Sequence, residues 1–79
     1  MHWYFGKEKE DDYEIVYRYS ADGQNLDGAI RYVKGSESIE IINPCESDKN
    51  FKKGQEMTMQ AFYHVVKEQF PQSRHICCG

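Results

Sequence analysis

The chain has 79 residues, of which 39% are apolar, 14% aromatic and 29% charged, and its formal net charge is −3. The aromatic share separates it from disordered chains, which combine few aromatics with high net charge. A net acidic chain also lacks the basic footprint on which most nucleic-acid binders rely. One domain of this size buries a modest fraction of its surface. Much of its core must therefore come from large rings, here six Tyr, four Phe and one Trp.

Residues 1–5 are apolar but too short for a signal peptide, and charged residues follow closely. No apolar run approaches bilayer-spanning length. The three Cys are an odd number, and Cys77 and Cys78 are adjacent, which is not the pattern of a secreted disulfide framework. Together these features predict a cytoplasmic protein with no membrane contact. The charge is uneven, since residues 1–14 carry two Lys against five acids.

In chain order, residues 2–6 read as a short strand, with Trp3 and Phe5 alternating against His2 and Tyr4. The charged run 7–12 reads as a solvated loop. Residues 13–20 are the clearest strand: Tyr13, Ile15, Tyr17 and Tyr19 share one face by the period of two. Asp22-Gly23 marks a turn, because Gly accepts positive φ. Residues 28–34 read as the next strand, and neither of its faces is purely polar, so both faces of the sheet are expected to be partly covered. A tight turn at 35–37 leads to a strand at 38–43, which Pro44 ends.

After a polar crossing, residues 55–70 have the helical period. Met59, Phe62, Tyr63, Val66 and Phe70 form the apolar stripe, which Ala61 and Val65 widen to one side, Glu56, Thr58, Gln60, Lys67 and Glu68 face water, and Pro71 stops the helix. In the tail, 71–79, Ile76 adds a short edge contact. Short connections favour a meander. The expected fold is α+β, a single domain over 1–79 with an antiparallel three- or four-stranded meander sheet and one C-terminal helix packed on one face. The expected core is Trp3, Phe5, Ile15, Tyr17, Ile30, Ile39, Ile41, Met59, Phe62, Val66 and Phe70.

Chemistry-bearing residues are present, but no motif joins them. Cys45, His64, His75, Cys77 and Cys78 include zinc-ligand types without the paired spacing that points two ligands at one ion, so no metal or cofactor is expected. Cys45 with His64 lacks an orienting third group. The acids Glu8, Glu10, Asp11 and Asp12 lie on a solvated connection rather than in a pocket that would split their pKa values. No P-loop and no G-x-G-x-x-G is found.

What remains is recognition. An acidic segment steers association with basic surfaces, and tyrosines belong to cores first and to interfaces second. The candidate binding residues are Glu10, Asp11, Asp12, Tyr13, Arg18, Tyr19 and Arg31. The sequence thus predicts a small non-catalytic protein of phage-like or mobile-element type that docks on another protein, as a regulator or inhibitor of a nucleic-acid-handling enzyme. One alternative is nucleic-acid binding through the sheet, with Arg18, Arg31, Lys49, Lys52 and Lys53, which the net charge disfavours. A second is a zinc- or thiol-dependent protein. Pairing of an exposed sheet edge leaves a homodimer open.

Overall fold

The computed structural model describes residues 1–22, 25–50 and 53–77. Among them lie β1 His2–Glu10, β2 Glu14–Ala21, β3 Gly28–Val33, β4 Ser38–Asn43, α1 Glu46–Asn50, α2 Gly54–Lys67 and β5 Ser73–Cys77. All the strand pairs are antiparallel, and the sheet order is β4-β3-β2-β1-β5. The α+β class and the four-strand meander match the expectation. The tail departs from it, because the chain returns after α2 and adds β5 to the free side of β1.

Two other boundaries move. The run 7–10, expected as a loop, continues β1: Lys7, Lys9 and Glu10 pair with Tyr17, Val16 and Ile15 across a bulge. The ladder overrides weak strand propensity there, and ion pairs offset part of the charge, Lys7 with Glu10 along the strand and Lys9 with Glu14 across the hairpin. The polar crossing contains a short helix, α1, that composition did not signal. Gly23, Lys52 and Cys78 lie outside the described residues; Asp22 itself takes positive φ, 58°.

Alternation sorts the sheet into two faces. One carries Trp3, Phe5, Ile15, Tyr17, Tyr19, Ala21, Ile30 and Ile76, all buried, and α2 covers it. Phe62 is the centre of the contact, its ring 5.4 Å from that of Phe5 and 5.3 Å, edge-on, from that of Tyr17. Burying these rings is the main source of stability available to so short a chain.

The helix is rotated relative to the expected stripe. Thr58, Ala61, Phe62 and Val65 are buried, whereas Met59 and Tyr63 are exposed, Tyr63 by 54%. Val66 and Phe70 are half-buried against the core, as are Ile39 and Ile41. Thr58, expected in water, is buried because it carries a hydrogen bond that the core needs. The Trp3 indole Nε1 donates to Thr58 Oγ1 at 2.9 Å, and Thr58 donates to the Asp48 carboxylate at 2.9 Å. The same carboxylate accepts from the Tyr19 hydroxyl at 2.5 Å, and that hydroxyl accepts from the Cys45 amide at 3.1 Å. This chain of buried groups pins both helices to the sheet.

The helix stops at Lys67, short of residue 70. Gln69 and Phe70 both take φ 63°. The Gln69 amide donates to the Val66 carbonyl and the Phe70 amide to the Val65 carbonyl, which is the Schellman pattern without its usual glycine. Phe70 thereby folds back until its ring lies 5.0 Å from that of Tyr32. The Tyr17 hydroxyl donates to the Pro71 carbonyl, and Lys7 and Gln72 exchange bonds that start the β1–β5 ladder.

Candidate docking surfaces

The β1–β2 connection is a tight turn organised by one side chain. Asp11 Oδ1 accepts from the amides of Tyr13 at 2.8 Å and Glu14 at 2.9 Å. These two bonds, with Lys9 beside them, hold the Asp11 carboxyl below its usual range. The Tyr13 carbonyl accepts from the Lys34 amide at 3.0 Å, which ties this turn to the β3–β4 turn at the same end of the sheet. On this braced turn the Tyr13 side chain is 80% exposed.

The acids nearby divide into two groups. Glu10 pairs with Lys7 at 2.8 Å and with Lys34 at 3.7 Å, and Lys7 is the chief reason its carboxyl sits below the usual range. Glu14 pairs with Lys9 at 3.0 Å and Arg31 at 3.2 Å, and Lys9 chiefly lowers it. Glu8 and Asp12 are exposed and stand in no ion pair among the described residues. The hairpin end therefore carries a neutralised lattice of charge together with Asp12, next to Tyr13 in the chain, and Glu8, in the β1 bulge, neither of them in an ion pair among the described residues.

The seven residues singled out from the sequence do not converge. Glu10, Asp11, Asp12 and Tyr13 share the hairpin end. Arg18 and Arg31 lie on the helix-free face. Arg31 is held between Glu40 at 2.8 Å and Glu14, and Arg18 donates through Nε and Nη2 to the Leu26 carbonyl. Tyr19 is fully buried on the opposite face and offers a partner nothing. The tyrosine column thus splits, with Tyr17 and Tyr19 in the core and Tyr13 at the surface. Burial and the Asp48 carboxylate push the Tyr19 hydroxyl above its ordinary pKa, and burial does the same for Tyr17.

A second surface lies on the helix-free face where β5 meets β1. His75 on β5 stands opposite Tyr4 on β1, and their rings stack at 4.4 Å, 9° from parallel. His2 continues the stack, its ring 5.2 Å from that of His75 with Nδ1 2.9 Å from His75 Nε2. Next to this wall is Gly6, and beyond it Leu26, so that an open groove of 690 Å³ runs over the strand. Sequence alternation placed His2 and Tyr4 together. It could not add His75, because the tail carries one core-facing apolar residue, Ile76, and gives too little pattern to read as a strand.

The Cys and His residues are dispersed. Cys45 is buried, its thiol pushed up chiefly by desolvation. His64 is exposed and lines a 130 Å³ notch with Trp3 and Ile76. Cys77 lies on the helix-free face with Sγ 3.9 Å from His2 Nε2. Among the described residues no group of three or more His, Cys, Asp or Glu is placed to hold a metal ion, and no helix is long and apolar enough to cross a membrane. No protein-family model matches the chain, and no curated protein or solved structure matches it.

Proposed function

We propose that the protein acts without catalysis, by docking on another protein through the β1–β2 hairpin end. The observation that carries this reading is Tyr13, a large ring left exposed on a turn that Asp11 and the Lys34 amide already hold rigid. An aromatic anchor presented by a rigid turn loses little entropy on binding, and such anchors dominate interface energies. Glu8 and Asp12, in no ion pair among the described residues, select a partner whose pocket is rimmed with Lys or Arg. Nucleic-acid-handling enzymes expose such rims to their phosphate substrates, so a regulator or inhibitor of one is the partner relationship proposed. Of the two arginines through which the sheet would bind nucleic acid, Arg31 is already engaged by two carboxylates, which leaves Arg18 as a single cation on that face without an ion pair among the described residues.

The test places a photo-crosslinking phenylalanine analogue at position 13 and recovers what it captures in the native cell. A partner identified this way should bind wild-type protein at least about tenfold more tightly than Tyr13→Ala. Its association should slow with added salt and with Asp12→Lys. Equal affinity of wild type and Tyr13→Ala, with both folded, removes the reading.

A further inference from the structure

We infer that the groove on the helix-free face is a binding site for a small planar aromatic anion, of about the size of a nucleoside monophosphate. It is separate from the hairpin end and does not rest on that reading. Three observations converge on it.

The first is shape. Gly6 forms the floor, flanked in register by Arg18 on β2 and Ser73 on β5. A Cβ there would come within 3.3 Å of Leu26 Cδ1, so the missing side chain is what keeps the groove open beneath Leu26. Its 690 Å³ falls in the ordinary range for sites that hold small organic ligands.

The second is the wall. Tyr4 and His75 line the groove; Tyr4 makes its ring contact with His75 alone among the described residues, and His2, outside the groove, stacks on His75. A planar ring entering there extends a stack that already exists, and neither wall ring has to be reorganised.

The third is charge. The polar residues lining the groove are Ser73, Arg74 and His75, with no acid among them. Arg74 is neutralised by Glu68 at 2.8 Å. Arg18, the cross-strand neighbour of Gly6, is not: it makes no ion pair among the described residues, and its guanidinium spends two donors on the neutral Leu26 carbonyl. That contact fixes the Leu26 wall and leaves a positive charge beside the floor. A ring carrying a phosphate or carboxylate satisfies both the stack and this charge, whereas a neutral ring satisfies only the stack.

The probe is adenosine monophosphate, titrated into ¹⁵N-labelled protein and read by amide shifts. Saturable shifts are expected at Tyr4, Gly6, Leu26 and residues 73–75, with adenosine binding at least about tenfold more weakly because it lacks the anion. Gly6→Val fills the floor and should abolish binding. Leu26→Trp fills the groove from the other wall without altering a strand, and serves if Gly6→Val does not fold. Arg18→Gln should weaken the monophosphate but not adenosine.

The inference is overturned if the monophosphate gives no saturable shifts at these residues, or if both filling variants fold and bind as wild type does. It is also overturned if a short single-stranded oligoadenylate binds far more tightly per nucleotide than the monophosphate, because the occupant would then be a nucleic-acid strand. Mapped shifts confined to Tyr13 and its neighbours would likewise overturn it while leaving the hairpin reading standing.

Discussion

The Tyr19 hydroxyl donates to Asp48 Oδ2 at 2.5 Å, both residues buried, and so joins the sheet to α1. Thr58 on α2 reaches the same carboxylate, and Trp3 on β1 reaches Thr58. One carboxylate on α1 thus collects hydrogen bonds from the sheet and from α2.

Breaking this chain leaves buried donors and acceptors without partners. Tyr19→Phe strips the Cys45 amide of its acceptor and Asp48 of one donor. Thr58→Val leaves the Trp3 indole unpaired. Each should cost about 1–3 kcal/mol. Urea unfolding measures this, and a double variant losing less than the sum of the singles would confirm that the groups act as one network.

Alkaline pH should attack the same core. Tyr17 and Tyr19 have folded-state pKa values raised above the ordinary tyrosine value of 10.0. A raised pKa favours the protonated form in the fold, so this stabilisation is complete below pH 10 and is lost as pH rises above it, where only the unfolded chain ionises readily. Unfolding midpoints followed from pH 8 to 12 should fall above about 10. Tyr17→Phe should reduce the slope, and an unchanged slope in that variant would count against the assignment.

At acid pH the hairpin turn is the responsive element. Asp11 has its folded pKa lowered from 3.8, first by the Tyr13 and Glu14 amides. A lowered carboxylate pKa contributes stability above the unfolded value, and this is lost as pH falls through the folded value. The protection of the Tyr13 and Glu14 amides, their exchange relative to the intrinsic rate at each pH, should therefore fall as the pH drops below about 4. Asp11→Asn should remove that dependence locally.

Glycine positions make a paired test of packing. A Cβ at Gly28 would lie 2.5 Å from Tyr19 Cε1, whereas one at Gly35 meets nothing within 4 Å. Gly28→Ala forces the Tyr19 ring out of a filled core and should cost about 1–3 kcal/mol. Gly35→Ala should leave the denaturation midpoint nearly where it is. Similar effects at the two positions would contradict the packing described.

The helix gives a third contrast. Phe62 is fully buried between Phe5 and Tyr17, while Tyr63 beside it is exposed. Phe62→Ala should lose about 3–5 kcal/mol, and Met59→Lys or Tyr63→Lys should stay within about 0.5 kcal/mol of wild type. Thermal unfolding of the three variants decides it. A large loss at Met59 would restore the helix orientation that periodicity alone suggests.

Much of the architecture is legible in local pattern. The period of two at Ile15, Tyr17 and Tyr19, the Pro44 stop and the 3.6-residue period after residue 55 are properties of neighbouring residues, and they placed β2, β3, β4 and α2. The same logic put Asp11 and Asp12 in the connection before β2, but it counted Tyr13 into the strand's tyrosine column, whereas Asp11 braces a turn there and leaves the Tyr13 ring exposed. What it could not assign was the outcome of competition between surfaces. Met59 and Tyr63 are as apolar as a buried stripe requires, but only one helix face fits the sheet, and the Trp3–Thr58–Asp48 hydrogen bonds chose the face that carries Thr58.

The last strand shows the limit most plainly. Residues 73–77 hold one apolar residue that faces the core, and they become β5 because β1 offers a free ladder and Ile76 a place in the core. That pairing brings His75 to Tyr4 across most of the chain and, with Gly6, makes the groove. The sequence by itself determined the elements whose hydrophobic period exceeds a turn or two, and with them the antiparallel meander. Only the tertiary structure decided which helix face is buried, that the tail adds an edge strand to the sheet, and that His75 stacks on Tyr4 beside Gly6. These depend on non-local contacts that no window along the chain contains.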